Sequence, residues 1–95
     1  MIIMVETTAC IKSKYGIHVR PAAAISNVAK EFRDTKIVLI DPDRPNEEID
    51  GKILLSIIAM NRKCGDPIII RTYYKDEQAA ADAVSKVINE FEIAD

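Results

Sequence analysis

The residues best suited to do chemistry in this chain lie in one short segment, YGIHVRPAA, at positions 15–23. The segment contains the only histidine of the sequence, His18, with Gly16 two residues before it and Arg20 and Pro21 after it. Gly16 permits a backbone turn that a side chain would block. Pro21 suits the first turn of a helix, where its missing N–H costs nothing. We therefore expect His18 at or just before the N-terminus of a helix.

A histidine at a helix N-terminus is well placed to carry a phosphoryl group. The unpaired backbone N–H groups and the positive end of the helix dipole stabilise an anion on or near the ring. The planar guanidinium of Arg20 fits phosphate oxygens, and a neutral imidazole is a nucleophile that forms covalent intermediates. The spacing alone leaves a second interpretation open, in which His18 is a helix cap or a surface residue.

Other chemistries find less support in the sequence. Ser13 lies near His18, but no sequence feature supplies the orienting carboxylate or the oxyanion hole that a hydrolase needs. Cys10 and Cys64 are the only cysteines and form no C-x-x-C pair. One histidine does not complete a zinc site with them at any familiar spacing, so we expect no metal. Both cysteines are predicted to be buried or half-buried reduced thiols.

Composition places the chain among ordinary globular proteins. Its 95 residues suit a single domain, residues 1–95, with 48% hydrophobic and 29% charged residues and a formal net charge of −2. No long run of one charge occurs, which argues against binding nucleic acid or a membrane surface through bulk charge. The opening MIIMV is too short for a signal peptide or a membrane span, so we expect a cytoplasmic location.

The elements that position the histidine segment are expected in the order β-α-β-β-α-β-α. Alternating polarity and β-rich runs predict strands, and apolar residues at i, i+3, i+4 and i+7 predict helices. The predicted strands cover residues 5–11, 35–40, 47–50 and 67–74, and the predicted helices cover residues 21–33, 52–65 and 76–91. The second helix is expected to stop near Gly65, and Asp76 is the candidate cap of the third. The order lacks a regular βαβ rhythm, which favours an α+β fold with an antiparallel sheet and helices packed on one face.

The segment GIHVRPAA resembles the active-site signature, G-[LI]-H-x-R-P-A, of the histidine-containing phosphocarrier protein (HPr) family of the bacterial sugar phosphotransferase system. The resemblance covers nearly the whole chain. IDGKILLSIIAM is similar to the second signature of the family, GDPIII to the beginning of its last strand, and DEQAAADAVSKVI to its final helix. The resemblance implies an open-faced β-sandwich, in which three helices pack on one face of a four-stranded antiparallel sheet.

The resemblance also implies roles for particular residues. His18 is the phosphorylated residue, through its Nδ1 atom, and Arg20 steadies the phosphoryl group or the phosphohistidine of a partner. The backbone around them supports the phosphate site, at Gly16, Ile17, Val19 and Pro21. A partner-docking surface is implied at four positions of the first and second helices: Ala23, Leu54, Leu55 and Ile58.

The function that the resemblance implies is that of a cytoplasmic, monomeric carrier with a transient phosphohistidine, rather than a free-standing enzyme. It accepts its phosphoryl group from enzyme I and passes it to IIA domains of sugar permeases, with no metal or organic cofactor. Two alternatives stay open: a regulatory module that docks onto other proteins, and a carrier of the nitrogen branch. The histidine, with Arg20 and Pro21, favours the carrier over a purely regulatory module.

Three departures from the family are visible. The position at which many relatives carry a regulatory serine, before the second helix, is Ile53, so we expect no switch by a serine kinase. Asp50 is a candidate replacement cap, and Ser56 is expected too far along the helix to replace the serine. The loop DPDRPNEE is longer than usual. The residues MII precede the usual beginning of the family, so either Met1 or Met4 is the first residue in the cell.

Overall fold

Seven elements follow one another in the predicted order, β-α-β-β-α-β-α. The structure is a computed structural model that describes residues 3–91; Met1 and Ile2, on which the choice of first methionine depends, and residues 92–95 lie outside the described residues. The strands are β1 (Met4–Cys10), β2 (Lys36–Ile40), β3 (Glu48–Asp50) and β4 (Pro67–Tyr73). The helices are α1 (Val19–Lys30), α2 (Leu54–Ala59) and α3 (Glu77–Glu90).

The four strands form one antiparallel sheet in the order β1-β4-β2-β3. Side chains alternate across it as expected for strands with one covered face. In β1, Ala9 faces the core, while Glu6, Thr8 and Cys10 are exposed. The core lies between the inner face of the sheet and the helices, and includes Ile68 of β4. The predicted antiparallel sheet with helices on one face is confirmed.

The two longer helices bury the apolar stripes that the sequence predicts. Ile25 and Ala29 of α1, and Val84 and Ile88 of α3, are buried in the core. Helix α1 begins two residues earlier than predicted, at Val19, and packs against both α2 and α3. Among the described residues, no helix combines the length and the apolar character that a membrane crossing requires.

The extent of the second helix was predicted wrongly. Helix α2 ends at Ala59, whereas the sequence predicted a helix that stops near Gly65, a plausible C′ residue. Asn61 adopts a left-handed backbone with φ of 54°, which terminates a helix and which asparagine tolerates better than most residues. Gly65 lies instead in the loop before β4, with φ of 91°.

The helix caps agree with the sequence at α3 and differ from it at α2. Asp76 is the N-cap residue of α3, as predicted; its backbone is left-handed, with φ of 50°, and its carboxylate makes no capping hydrogen bond. Asp50 does not cap α2: its carboxylate accepts a hydrogen bond from the backbone N–H of Lys52 at 2.9 Å, which closes the turn before the helix. The N-cap of α2 is Ile53. Ser56 is the third residue of α2 and lies in its first turn, nearer the beginning than predicted.

Both cysteines are free and exposed, so the prediction of buried or half-buried thiols is wrong. Cys10 ends β1 on the outer side of the sheet, because the residues of a strand alternate between faces and Ala9 occupies the inner one. Cys64 lies in the loop before β4, where its thiol donates a hydrogen bond to the Lys12 carbonyl over 3.9 Å.

Candidate functional site

The loop between β1 and α1 makes a tight turn immediately before the histidine. The N–H of Gly16 donates a hydrogen bond to the carbonyl of Ser13 at 3.0 Å. Gly16 has φ of 75°, and a Cβ atom placed there would lie 2.5 Å from the backbone oxygen of Arg62. A side chain at this position would meet both a strained backbone and a rigid carbonyl. The turn therefore requires glycine, as the sequence predicts.

Backbone hydrogen bonds tie this loop to the segment that precedes β4. The N–H of Ile17 donates to the carbonyl of Arg62 at 2.9 Å, one residue before the histidine. At the other end of the loop, Ile11 accepts a hydrogen bond from Gly65 at 2.8 Å and donates one to Asp66 at 2.9 Å. The histidine loop is consequently fixed by residues that are about fifty positions away in the chain.

The buried side chain of Arg62 fixes the segment before β4 in place. It is 7% exposed, and its Nη1 atom donates to the Asp41 carboxylate at 2.7 Å while Nη2 donates to the Pro67 carbonyl at 2.8 Å. The carboxylate of Asp43 lies 3.6 Å from Nη1. Arg62 was not singled out from the sequence. The available signal was an arginine after an apolar helix together with the paired aspartates of the DPDRPNEE loop.

His18 is the N-cap residue of α1. Its backbone is extended, and its carbonyl accepts the hydrogen bond of the Ala22 N–H at 3.0 Å. The half-buried imidazole has its Nε2 atom 3.5 Å from the hydroxyl of Ser13. The ring of Tyr15 faces it edge-on, with ring centroids 6.3 Å apart and planes at 70°. The imidazole therefore lies at the positive end of a helix and is contacted by two residues of its own loop.

The other residues predicted for the phosphate site occupy the loop and the first turn of α1. Ile17 is buried in the loop, Val19 is exposed at the first position of the helix, and Pro21 is buried at the third. Arg20 is exposed at the second helical position, two residues after the histidine. The structure thus brings all these residues to one helix N-terminus.

The four residues predicted for docking differ in exposure. Leu55 is 74% exposed, whereas Leu54 and Ile58 are half-buried and pack against the core. Ala23 is half-buried on α1, which packs against α2. Exposed apolar side chains also lie near these helix beginnings at three positions that the sequence did not predict for docking: Tyr15, Val19 and Ile53. Exposed apolar surface of this kind is typical of a contact region.

The described residues hold no group of three or more histidine, cysteine, aspartate or glutamate side chains arranged to bind a metal ion. What the arrangement offers is a nucleophilic ring, backbone N–H groups of a helix N-terminus and an arginine two residues away. A small α+β domain with this site defines a class of protein, the histidine phosphocarriers. The chain belongs to the HPr family of the phosphotransferase system, since the family model described as "PTS HPr component phosphorylation site" matches residues 5–90.

Curated relatives agree with this assignment, and a solved structure has a similar fold. The chain is 33% identical over 90 residues to the phosphocarrier protein HPr of Treponema pallidum, covering 94% of this chain and 98% of the relative. It is 31% identical over 88 residues to the HPr of Borreliella burgdorferi, covering 93% and 98%. The fold is similar to a crystal structure of HPr from Bacillus anthracis, with a TM-score of 0.79 at 24% identity over 90% of this chain and 96% of that one.

Proposed function

We propose that this chain is a single-domain phosphocarrier of the bacterial phosphotransferase system, in which the Nδ1 atom of His18 receives a phosphoryl group from enzyme I. The carrier then passes the group to IIA domains of sugar permeases. It works in the cytoplasm as a monomer, and its ring holds the phosphoryl group only between the two transfers. The observation that carries the proposal is the position of His18 as N-cap of α1 within the family signature.

The helix N-terminus supports this role electrostatically. A phosphoryl group on the ring brings negative charge to the end of α1, a helix of 12 residues, where backbone N–H groups lack partners within the helix. These donors are in place before the reaction and need no rearrangement as charge develops. Arg20, on the first turn, adds a guanidinium whose fork fits two phosphate oxygens.

The surroundings of the site suit a protein that must dock and release repeatedly. Val19 and Leu55 are exposed apolar side chains at the beginnings of α1 and α2, two helices that pack together. A small apolar contact with a charged rim gives a short-lived complex. In that complex the imidazole of His18 meets the phosphohistidine of its partner, and holding the two rings in line supplies much of the rate.

The decisive test is labelling with enzyme I and phosphoenolpyruvate that carries labelled phosphate. The wild-type chain should acquire an acid-labile label, because phosphohistidine hydrolyses in acid and phosphoserine does not. His18→Ala should take no label while remaining folded by far-ultraviolet circular dichroism, since the ring is only half-buried. Asn27→Ala, on an exposed position of the same helix, is the matched control and should label normally. Undiminished labelling of the His18→Ala chain would refute the proposal.

A further inference from the structure

Ser13 is a buried polar residue that contacts the reacting ring. Its side chain is 1% exposed, yet it lies in a loop at the surface of the domain and carries a hydroxyl. That hydroxyl is 3.5 Å from the Nε2 atom of His18. A buried hydroxyl costs free energy unless it has a hydrogen-bond partner. The imidazole is the partner that the structure gives it.

The loop fixes the separation between Ser13 and His18. The turn closed by the Gly16 N–H and the Ser13 carbonyl brings residue 13 back towards residue 18. The hydrogen bond from Ile17 to the Arg62 carbonyl then fixes the backbone directly before the histidine. The hydroxyl therefore approaches the imidazole from within the domain, on the side of Nε2.

We propose that Ser13 is a positioning residue for phosphoryl transfer: its hydroxyl oxygen accepts a hydrogen bond from Nε2–H of His18 and so fixes the tautomer and the orientation of the ring. This inference rests on the proposed function. A ring with its proton on Nε2 has a lone pair on Nδ1, the atom that must attack. A hydroxyl rotates, so its lone pair can face Nε2.

The contact strengthens as the reaction proceeds. The Nδ1 lone pair attacks the phosphorus of a protein phosphohistidine, a new N–P bond forms, and the donor N–P bond breaks with its electron pair returning to the donor ring. The proton on Nε2 stays in place, so the His18 ring becomes cationic as the phosphoryl group arrives. The hydrogen bond to Ser13 then has a charged donor, and such bonds are shorter and stronger than neutral ones. An interaction that strengthens in the transition state raises the transfer rate.

The first test observes the ring directly and needs no phosphoryl donor. In ¹⁵N-edited spectra, the wild-type imidazole should show a proton on Nε2 that is protected from exchange with water. Ser13→Ala should lose that signal. Ser13→Cys keeps the side-chain volume but is a weaker hydrogen-bond partner, so it should lose the signal too and replaces the alanine variant if that variant fails to fold. Ser26→Ala removes an equally buried hydroxyl that donates to the Ala23 carbonyl instead, and should keep the signal. An Nδ1–H tautomer in the wild type, or the same Nε2–H signal in Ser13→Ala, would overturn the proposal.

The second test measures transfer from phosphorylated enzyme I. Ser13→Ala should lower the transfer rate constant about tenfold with KM nearly unchanged, because a hydrogen bond to a cationic ring is lost and the docking surface is not. Ser26→Ala should transfer at the wild-type rate. Equal rates for the wild type and Ser13→Ala would refute the role of Ser13 and leave the phosphocarrier function standing. A wild-type chain that takes no label would refute the phosphocarrier function instead, while the ring spectra would still decide the Ser13 contact.

Discussion

Replacing Arg62 by methionine tests how much the ion pair between Arg62 and Asp41 stabilises the domain. Arg62 and Asp41 are joined by a hydrogen bond of 2.7 Å, and their side chains are 7% and 13% exposed. Removing the guanidinium leaves the Asp41 carboxylate nearly buried without its main partner and leaves the Pro67 carbonyl without its donor. Breaking a buried pair in this way costs ~3–5 kcal/mol. This is a large part of a typical total stability of ~5–15 kcal/mol.

The assay is equilibrium unfolding in urea, followed by far-ultraviolet circular dichroism. With a slope of ~1–3 kcal/mol per molar urea for a domain of this size, Arg62→Met should lower the midpoint by about 1 M or more. Adding Asp41→Asn should recover part of the loss, because the second change removes the charge that the first leaves unpaired. Arg62→Met should also label more slowly with enzyme I. The lost side-chain bonds fix the position of residue 62, whose backbone carbonyl holds the Ile17 N–H next to the histidine.

Arg71→Met is the matched control for this prediction. Arg71 pairs with Glu6 at the same nitrogen–oxygen distance of 2.7 Å, but these side chains are 32% and 46% exposed. The hydrogen bond with Glu6 raises the pKa of the Arg71 guanidinium. Water screens an exposed pair, and Arg71→Met should barely move the urea midpoint. Equal shifts for the two methionine variants would refute the reasoning that burial, rather than distance, determines the loss.

Three further predictions concern the site itself. Arg20→Lys should slow phosphoryl transfer in steady-state assays without changing the unfolding midpoint, because the charge stays and the planar fork is lost; equal rates would contradict this. Leu55→Glu should weaken binding to enzyme I, measured by calorimetry, and leave the fold intact, whereas Leu54→Glu should also destabilise the domain because Leu54 packs against the core. Gly16→Ala should lower the urea midpoint and the labelling rate together, with a backbone cost of ~1–3 kcal/mol before any clash; wild-type values for both would contradict the requirement for glycine.

The sequence alone predicts those parts of the molecule that depend on local patterns. The stripe containing Ile25 and Ala29 has helical spacing, and the strand ending at Cys10 alternates between polar and apolar residues. His18 at the beginning of α1 follows from two local signals, a glycine turn before it and a proline in the first turn after it. These features are determined by neighbours in sequence, so a pattern of a few residues is enough to predict them.

The features that the sequence missed depend on contacts between distant residues. Arg62 is buried because the carboxylates of Asp41 and Asp43, in the loop after β2, pair with it. No local sequence pattern predicts this contact. Helix α2 stops at Ala59 rather than near Gly65, because Asn61 turns the chain towards the histidine loop. Ser13 was noticed as a neighbour of the histidine, but its burial depends on the packing of that loop. Local patterns do not contain this information.

The hydrogen bonds between the histidine loop and residues 62–66 also determine when the site is assembled during protein synthesis. Within residues 3–91, strand β1 pairs in the sheet with β4 alone, and β4 ends at Tyr73. A ribosome that has released only the first sixty residues has therefore produced His18 without the backbone that holds it. Pairing of chain ends this far apart is slow to form. A chain interrupted before β4 should thus carry the complete GIHVRPAA signature and still be a poor phosphoryl acceptor.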